Sequence, residues 1–596
     1  MARNTYQVDE ALEAASEFKF SHLKRLLRYV GPYRKPLLLT LACMIVSSTL
    51  SLLTPYLTKV TIDTAIPEKN IPLVLLVAGI TVLTLIINFF IIRYRINTMS
   101  RVGQGVIRDL RLSLFNHLQR LPFTYYDSRP HGKILVRVVN YINNLSDMLS
   151  NGLINVLTEL FSLLVIAVMM LLIDPRLTLV SMAGLPLLLG FTFFLKIKNR
   201  LAWRLHSAKQ SNLNAYIHES IAGVKVTQSF TRERENMRIF AEVTDDARGA
   251  YMRAVRIMFL LWPTAENIAM WTVALLYVYG VGLMAGATLT IGVLIAFGSY
   301  IQRFWMPINN IANFYNTLVT NMSYLERIFE TLDEPVPVAD APDAVDMPLI
   351  QGAVSFEDVS FAYEEGQPLI LSHVSFSCRA GDAIALVGPT GAGKTTIVNL
   401  LSRFYNLNGG CIRIDGFDIS RASLHSLRSQ MGVMLQDSFI FSGTVMDNIR
   451  YSKLTAGDDE VVAAAKAVCA HDFIMEMEKG YFTEVNERGS RLSVGQRQLI
   501  SFARALLADP RILILDEATA NIDTRTEKAL QEGLNRLLKG RTSFVIAHRL
   551  STIRHATRIM VVDRGRVAES GDHDELMALK GDYYRLYQSQ YENGEA

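Results

Sequence analysis

Cysteine is scarce in this chain of 596 residues, which contains only Cys43, Cys378, Cys411 and Cys469, and no two of them have C-x-x-C spacing. This scarcity argues against a disulfide framework and against a cysteine-based metal site. The formal net charge is only +4, so no strong basic field indicates nucleic acid as a partner. The first 35 residues lack an early apolar run with a cleavage site, and we therefore expect no secretory signal peptide.

Hydrophobic residues make up 50% of the chain, and the mean hydropathy of +0.21 is higher than is usual for soluble domains. Six apolar segments of about 20 residues each lie at 37–57, 72–92, 153–173, 177–197, 258–283 and 290–311. A helix of this length crosses a hydrocarbon core of about 30 Å. Buried helices of a soluble protein are the alternative, but six such segments are too many for one globular core. We therefore expect a six-helix transmembrane domain over residues 36–330.

The connections between these segments differ in length and in charge. Segments pair through short turns, such as Asp174 to Arg176, whereas about 60 residues separate the second from the third and the fourth from the fifth. The long connections are rich in basic residues, namely Arg93, Arg95, Arg101, Arg108, Arg111, Arg120, Lys196, Lys198, Arg200, Arg204, Arg232 and Arg234. Basic residues near segment ends mark the cytoplasmic side of a membrane. We therefore expect both termini in the cytoplasm, at a bacterial plasma membrane.

The remaining sequence patterns set the domain boundaries. Residues 20–33 alternate apolar and basic side chains, which predicts an interfacial helix within an N-terminal segment of residues 1–35. Helical periodicity continues through 106–121, so the membrane helices should extend into the cytoplasm as long helical loops. Proline and acidic residues without periodicity predict a linker over 331–351. Short β-rich runs alternate with helical stretches over 352–590, which indicates an α/β domain.

A glycine-rich loop follows a predicted buried strand at Ile384–Val387. The loop and the start of the next helix fit G-x-x-x-x-G-K-[ST] with Gly388, Pro389, Thr390, Gly391, Ala392, Gly393, Lys394 and Thr395. In such a loop, backbone N–H groups surround a β-phosphate, the lysine reaches the β- and γ-phosphate oxygens, and the threonine hydroxyl binds Mg²⁺. We expect ATP and Mg²⁺ as cofactors, with Lys394 among the catalytic residues and Thr396 as a further nucleotide contact.

Two further predicted strands end in polar residues. Asp516 and Glu517 follow the aliphatic run Ile512–Leu515, and His548 follows Ser543–Ala547. The first carboxylate can hold Mg²⁺ through water, and the second can polarise the attacking water. Exposed turn acids and a structural histidine are the alternatives. Because a phosphate-binding loop lies in the same domain, we predict Asp516 as a metal ligand, Glu517 as a catalytic base and His548 as a γ-phosphate contact.

Residues Leu492 to Gln496 read Leu-Ser-Val-Gly-Gln and resemble the LSGGQ signature of ATP-binding cassette proteins. Thr483 to Gly489 is similar to the TEVGERG motif of the exporters in that family. Nearly the whole chain resembles an ATP-binding cassette (ABC) exporter half-transporter of the type IV fold. That resemblance implies six helices with one α/β P-loop nucleotide-binding domain.

The resemblance also implies roles for individual residues. Tyr363 matches the aromatic residue that stacks on adenine, and Gln436 matches the glutamine that contacts Mg²⁺ and senses the membrane domain. Ser493, Gly495 and Gln496 would contact a nucleotide from the signature side, and Asp523 closes a segment, 520–523, that resembles the D-loop. Residues 123–127 and 218–223 look like the family's coupling helices, at the tips of the long loops.

Three residues depart from the family pattern. Val494 replaces the middle glycine of the signature, Asn521 replaces a serine of the D-loop, and Asn486 replaces a glycine of the exporter motif. None of these changes removes a catalytic group, so we expect one competent set of hydrolytic residues per chain.

The family mechanism implies that two chains act together, with each ATP held between the glycine loop of one chain and Ser493 of the other. A second half-transporter is therefore an expected partner. A homodimer is favoured because every nucleotide motif is usable, while a heterodimer also fits the sequence.

The nature of the cargo is less well defined by the sequence. Glu266 and Arg303 fall inside the fifth and sixth apolar segments, where they could contact cargo or form a structural ion pair. These segments are rich in aromatic residues, namely Trp262, Trp271, Tyr277, Tyr300, Phe304 and Trp305. This composition favours hydrophobic or amphipathic cargo of the multidrug type, moved outward across the bilayer. Anchoring at the membrane interface is the alternative for some of these residues. Lipid flipping and peptide export stay open, and an ATP-gated channel or sensor is the alternative from another class.

Overall fold

The computed structural model describes residues 20–592 except 149–151, 286–288, 365, 435–437, 487–488, 517–523 and 547–555. The contacts within the chain define two units. The first lies within residues 1–119 and 131–334, and the second within 120–130 and 335–596. The short segment 120–130, which connects two helices of the first unit, therefore belongs to the second.

The first half of the chain is helical. Its helices, numbered α1 to α12, are Phe20–Val30, Arg34–Val60, Ile71–Leu118, Phe123–Asp127, His131–Val136, Ile142–Asp147, Leu153–Ile173, Pro175–Met182, Gly184–Ala222, Val224–Ser229, Glu233–Ala285 and Ile291–Leu332. A π-helical turn, Thr61–Ala65, extends α2. Six helices in the described part of the chain are long and apolar enough to cross a membrane. At 48 residues, α3 is about 72 Å long at 1.5 Å per residue, more than twice the thickness of a hydrocarbon core.

The fourth apolar segment lies within a helical span, Pro175–Ala222, as the sequence predicted, but the helix is interrupted at one residue, since α8 ends at Met182 and α9 begins at Gly184. The break has a local cause. Pro186 lies in the first turn of α9 and has no N–H to donate to the carbonyl of Met182, four residues earlier. At the other end of α8, Asp174 caps the helix by accepting from the N–H groups of Arg176 and Leu177 at 2.8 and 3.0 Å.

The amphipathic helix predicted near residues 20–33 is present as α1, followed by a 3₁₀ turn at Gly31–Tyr33. Its apolar side is anchored by Leu26, which is buried. Arg25 forms an ion pair with Asp333 at 2.6 Å and lies 4.5 Å from the ring centre of Phe329, at the end of α12. These contacts fasten α1 to the last helix of its unit.

Helix α12 begins against the end of α2. Asp63, in the π-helical turn, accepts hydrogen bonds from the Thr290 hydroxyl at 2.6 Å and from the Gly292 N–H at 2.8 Å. Asp63 thus satisfies a backbone donor that the first turn of α12 leaves unpaired. Farther along, the buried Tyr300 hydroxyl donates to the carbonyl oxygen of Leu52 at 3.0 Å. At two places, therefore, hydrogen bonds between residues more than 200 positions apart in sequence join α12 to α2 and its π-helical turn.

Within its described residues, the second unit contains twelve strands. β1 to β12 are Val354–Phe361, Leu371–Cys378, Ala383–Val387, Gly409–Ile414, Phe417–Asp418, Met431–Met434, Gly443–Thr444, Glu484–Val485, Ile512–Asp516, Thr542–Ile546, Arg558–Asp563 and Arg566–Gly571. The helices after α12, numbered α13 to α21, are Lys394–Leu401, Leu424–Arg428, Val445–Arg450, Asp458–Ala467, His471–Met475, Val494–Leu507, Thr524–Leu538, His573–Leu579 and Asp582–Glu592.

A six-stranded sheet in the order β12-β11-β3-β10-β9-β6 forms the centre of this unit, and all its strands except β12 run parallel. A four-stranded antiparallel sheet, β2-β1-β4-β5, covers one of its faces. Side chains of β3 alternate between two cores. Ile384 and Leu386 pack toward the second sheet, while Ala385 and Val387 pack toward the helical side. Because both faces of β3 are buried, the strand reads as a continuous apolar run.

Candidate nucleotide site and coupling segment

Three parallel strands bring the predicted site residues to one edge of the central sheet. β10 lies between β3 and β9, and Ile546 pairs with Leu386 on one side and with Asp516 on the other. The glycine loop that follows β3 therefore starts at the same edge of the sheet as the carboxyl end of β9, one strand away. Asp516 is the last residue of that strand. Ligands of open α/β sheets bind at the carboxyl ends of such strands.

The glycine loop needs its glycines for two different reasons. Gly388, Gly391 and Gly393 all have positive φ angles, of 143°, 81° and 107°. A Cβ atom on Gly388 would lie 2.1 Å from the carbonyl oxygen of Val562, and one on Gly393 would lie 2.7 Å from the Leu371 side chain. At Gly391 a Cβ would meet nothing within 4 Å, so only the backbone conformation favours glycine there.

Lys394, the first residue of α13, is a buried cation held by its own loop. Its Nζ donates to the carbonyl oxygens of Gly388 and Pro389 at 2.7 and 2.9 Å. Burial lowers the pKa of the Lys394 ammonium, and the negative charge of Asp516 partly opposes that shift. The structure thus brings Lys394, Asp516 and the glycine loop together, as the sequence predicted.

The two threonines after Lys394 have different surroundings. Thr395 is exposed in the first turn of α13, whereas Thr396 is buried. The Thr396 Oγ1 lies 3.0 Å from the hydroxyl oxygen of Tyr363. The Thr396 hydroxyl is therefore engaged by the protein, and Thr395 is the threonine with an accessible side chain.

Tyr363 forms part of a small aromatic group beside the glycine loop. Its ring packs edge-on against Phe361 and Tyr405, with ring centres 5.0 and 5.1 Å away. The side chain is 40% exposed. Tyr363 thus joins the loop helix to the aromatic residues around Tyr405 and keeps accessible ring surface.

The signature motif forms the start of α18. Ser493 precedes the helix and accepts from the Gln496 N–H at 3.2 Å, while the Gln496 side chain accepts from the Ser493 N–H at 3.0 Å. This reciprocal arrangement is a capping box. Val494 occupies the first helical position and is 43% exposed, with a negative φ. The position requires no glycine conformation, which explains how valine is accommodated there.

Several predicted site residues lie outside the described residues. They are Gln436, Glu517, Asn521, Asp523 and His548. β9 ends at Asp516, as the sequence predicted, and the described part of β10 ends at Ile546, one residue before the predicted end of that strand. β6, which the sequence analysis did not predict, ends at Met434.

Mg²⁺ is compatible with the donors that are described. Within the described residues, no group of three or more His, Cys, Asp or Glu side chains could hold a metal by itself. Mg²⁺ at nucleotide sites needs no such cage, because one or two protein ligands join phosphate oxygens and waters around the ion. The exposed Thr395 hydroxyl and the Asp516 carboxylate, both next to Lys394, match that donor set.

The short helix α4, which matches the first predicted coupling helix, packs on the nucleotide-binding unit. The Tyr405 hydroxyl donates to Asp127 Oδ2 at 2.9 Å. Phe123 packs on Phe404 with ring centres 4.5 Å apart, and the Arg428 guanidinium lies 5.0 Å from the Phe404 ring centre. Burial and the hydrogen bond to Asp127 both raise the pKa of Tyr405.

These contacts form a continuous path from α4 to the glycine-loop helix. Asp127 meets Tyr405, the Tyr405 ring meets Tyr363, and the Tyr363 hydroxyl meets Thr396 in α13. The sequence analysis missed Tyr405, because Asp127 lies 278 residues away from it and no local pattern links them.

The second predicted coupling segment lies at the end of α9 and is followed by α10. Apolar side chains of this segment and of the residue after α10 are open to solvent in the single chain, with Ile221 69% and Phe230 70% exposed. The two coupling segments therefore differ, since the first is packed against the nucleotide-binding unit and the second is exposed.

Comparisons with known proteins agree with this arrangement. The family model of the ABC transporter transmembrane region matches residues 37–308, and that of the ABC transporter matches residues 371–520. The uncharacterized ABC transporter ATP-binding protein YknV of Bacillus subtilis is 46% identical over 597 residues, which cover 99% of this chain and 98% of that protein. YgaD of the same organism, named as a candidate multidrug export ATP-binding/permease protein, is 35% identical over 95% of this chain and 98% of its own length.

Two further similarities come from a lipid transporter and from a solved structure. An ATP-dependent lipid A-core flippase of Syntrophus aciditrophicus is 32% identical over 95% of this chain and 94% of that protein. The structure of a bacterial Atm1-family ABC exporter with ATP bound has a TM-score of 0.77 and 29% identity. It covers 94% of this chain and 98% of the solved one.

The fold and the site define a membrane protein that carries a P-loop nucleotide-binding domain. Together with the comparisons, they show that the chain belongs to the ABC transporter family, as an exporter half-transporter of type IV. It is an integral membrane protein that binds ATP and couples ATPase activity to transport. The predicted family, fold class and enzymatic class are confirmed.

Proposed function

We propose that this chain exports hydrophobic or amphipathic compounds of the multidrug type, driven by ATP hydrolysis in a pair of identical chains. The observation that carries the proposal is the glycine loop with Lys394 and Asp516, in one chain with six membrane-spanning helices. The relative named for multidrug export supports this type of cargo.

In this proposal the nucleotide is held mainly by backbone donors of residues 388–393 and by Lys394. Tyr363 stacks on adenine with its accessible ring, and Thr396 contributes by positioning Tyr363. Thr395, Gln436 and Asp516 hold Mg²⁺, which supplies a positive charge that draws electron density from the phosphate oxygens. Glu517 orients and polarises the attacking water, and His548 contacts the γ-phosphate. Catalysis of this kind rests on positioning and on electrostatic stabilisation.

The site is completed by a second chain. The recorded hydrogen bonds of Ser493 stay within its own helix start and do not reach the glycine loop. In the pair, Ser493, Gly495 and Gln496 of one chain face the nucleotide of the other, with Asp523 beside them. The exposed apolar tip around Ile221 and Phe230 supports the same arrangement, because it offers a surface for the partner chain.

We infer the membrane orientation from the basic loops, whose charge favours a cytoplasmic location for both termini and for the nucleotide-binding unit at a bacterial plasma membrane. Single cysteines at Lys69 and Thr288 should react with impermeant reagents added to intact cells, whereas a cysteine at Tyr126 should not. Labelling at position 126 in intact cells would contradict this orientation.

The aromatic residues of the fifth and sixth segments divide into two groups. Tyr300 and Trp305 are buried in helix packing, so they serve the fold in this conformation. Trp271 and Tyr277 are exposed and are available to lipid, to a partner chain or to cargo. Within the described residues, Arg303 forms no ion pair with Glu266 and instead donates to the carbonyl oxygen of Ser51 at 2.7 Å. Among the described residues, Arg303 in the sixth apolar segment thus has no ion-pair partner.

Transport is tested with the purified chain in sealed vesicles whose nucleotide-binding units face outward. A panel of fluorescent amphipathic and hydrophobic compounds should accumulate inside when ATP is added. The Glu517→Gln chain is the matched control and should give no accumulation. ATP hydrolysis without accumulation of any compound would contradict export, and ATP-gated passive flux would favour the channel alternative.

A further inference from the structure

A cavity with charged walls lies inside the helical unit. Its volume is about 280 Å³, and its walls come from α2, α3, α7 and α12. We call it the charged cavity because its lining includes Arg95, Glu159 and Arg303. Arg303 lies twelve residues after Ile291, or about 18 Å along α12, which is well inside the length of a membrane span.

The charges of this cavity do not neutralise one another. Within the described residues, no ion pair joins Glu159 to Arg95 or to Arg303. Arg303 donates to the Ser51 carbonyl at 2.7 Å, and Arg95 donates to the Asn155 side chain at 3.3 Å. Ionised side chains at membrane depth are costly, and they usually mark a pathway or a ligand site.

The Glu159 carboxylate already has a donor, since the Asn310 side chain donates to it at 2.6 Å. Each guanidinium, by contrast, has five N–H donors, and one hydrogen bond is recorded for each of Arg95 and Arg303. The lining therefore offers an excess of donors and a formal charge of +1, from two arginines and one glutamate. A cavity of this character favours an anion over a cation.

The remaining polar groups of the wall are mostly used in contacts between helices. The Ser47 hydroxyl donates to Asn88, the Asn88 amide donates to Ser51 at 3.2 Å, and the Ser48 and Ser162 hydroxyls lie 2.6 Å apart. These hydrogen bonds hold α2 against α3 and α7. Arg95 thus lies on a helix that is joined to its neighbours by hydrogen bonds, and Arg303 lies on α12, which the Tyr300 hydroxyl joins to α2.

The rest of the lining is apolar and comes from Met44, Leu52, Ile91, Ile92, Ile166, Met306 and Pro307. The cavity volume lies just below the lower limit of about 300 Å³ for small-molecule sites. It can therefore hold a head group and the first carbons of a hydrocarbon tail, and the rest of an extended lipid tail would lie outside the cavity.

We propose that the charged cavity binds the acidic head group of a singly charged anionic amphiphile, with Arg303 and Arg95 as its ligands. This inference rests on the proposed export function and specifies the class of cargo. Glu159 sets an upper limit on the negative charge that the cavity accepts, because it repels a second anionic group.

Binding is measured on the full-length chain in nanodiscs of neutral lipid, by calorimetric titration at a pH at which carboxylates are ionised. The probes share one tail and differ in head group: dodecanoate, dodecanol and dodecyltrimethylammonium. Dodecanoate should bind at least about tenfold more tightly than dodecanol, and the cationic probe most weakly. Acetate distinguishes binding of an amphiphile's carboxylate from binding of a small free carboxylate. It should not bind measurably, because the tail supplies the apolar contact.

Arg303→Gln should weaken dodecanoate binding about tenfold and leave dodecanol binding nearly unchanged. Arg303→Lys keeps the charge and should retain part of the preference, which distinguishes a lost ligand from a misfolded chain. Arg93→Gln is the matched control. Arg93 is exposed on the same helix, two residues before Arg95, and does not line the cavity. Glu159→Gln keeps an acceptor for Asn310 but removes the negative charge, so it should strengthen dodecanoate binding.

Equal binding of the three probes would overturn the inference, and so would an Arg303→Gln variant that loses dodecanol and dodecanoate alike. Two outcomes separate this inference from export itself. Vesicle transport of neutral and cationic compounds without any anion preference contradicts only the head-group site. Selective dodecanoate binding with no transport of any compound contradicts only export.

Discussion

The glycine loop and the charged cavity both pair a cationic side chain with backbone carbonyl oxygen, but the carbonyls come from different parts of the chain. Lys394 meets the carbonyls of Gly388 and Pro389, six and five residues earlier in the chain. Arg303 meets the carbonyl of Ser51, 252 residues away on another helix. The first site is built by one turn of backbone, and the second by the packing of several helices.

This difference determines how each site responds to change. The geometry of a local loop does not depend on how the helices of the other unit are arranged. A substitution in the loop should therefore lower ATPase activity by the same factor with and without cargo. A site assembled from distant helices depends on every contact that holds those helices together. Substitutions in the cavity should change cargo binding and the stimulation of ATPase activity by cargo, and they should leave the basal ATPase activity largely unchanged.

The largest effect is expected at the nucleotide site. Glu517→Gln should lower phosphate release by at least about a hundredfold while ATP stays bound, because a general base contributes about 10²–10⁴ to the rate. The loss should be equal with and without cargo. Glu478→Gln, at an exposed glutamate of the same unit, is the control and should release phosphate normally. If the Glu517→Gln chain released phosphate near the normal rate, the catalytic role of Glu517 would be contradicted.

A pair of alanine substitutions tests why the loop needs glycine. Gly388→Ala combines a positive φ with a Cβ only 2.1 Å from a backbone carbonyl, so it should cost the upper part of a range of about 1–3 kcal/mol. Gly391→Ala has the strained φ but open space, and it should cost about 1 kcal/mol. Thermal unfolding of the two full-length variants measures the difference. Equal losses would show that the close approach to Val562 is unimportant.

The path from α4 to α13 should couple cargo binding in the helical unit to ATP hydrolysis at the glycine loop. Tyr405→Phe and Asp127→Asn each remove the same hydrogen bond, so each should reduce cargo-stimulated ATPase activity several-fold and leave basal activity largely unchanged. The double variant should be no worse than either single one, with a coupling energy of about 1–2 kcal/mol. Additive losses would mean that the two side chains act independently.

A smaller effect is expected where α12 begins. Asp63→Ala removes the acceptor for Thr290 and Gly292 and should destabilise the chain by about 1 kcal/mol, as the loss of a helix cap does. Glu68→Ala changes an exposed acid three residues after the π-helical turn and should have no measurable effect. Thermal unfolding of both variants in the same lipid provides the comparison. Equal stability of the two would contradict the capping role of Asp63.

The same contrast explains what the sequence could predict. The glycine loop, the strand that ends at Asp516 and the signature at Ser493 are contiguous patterns whose chemistry follows from residue order, and the described ones lie where the sequence placed them. Arg303 was recognised as an unusual charge because hydrophobic residues surround it. Its partner Ser51 and its neighbour Arg95 were not, because only the packing of three helices brings them together.

The break at Ala183 shows another limit of sequence patterns. Hydropathy alone predicted one helix over 177–197, since apolar residues continue without interruption. The backbone interrupts it because of the proline three residues later. Similarly, composition suggested cargo contact or interfacial anchoring for the aromatic residues of α12, but Tyr300 is buried and its hydroxyl donates to the carbonyl oxygen of Leu52.

The pairing of two chains around ATP is tested most directly by cross-linking two differently marked copies. One copy carries Ser493→Cys and the other Gly391→Cys, both with Glu517→Gln and with the four natural cysteines replaced. Mixed in lipid, the two copies should form a disulfide-linked dimer that increases strongly when ATP and Mg²⁺ are added, because those positions meet only across the nucleotide. An equal amount of dimer with and without ATP, or none at all, would contradict a composite site shared by two identical chains.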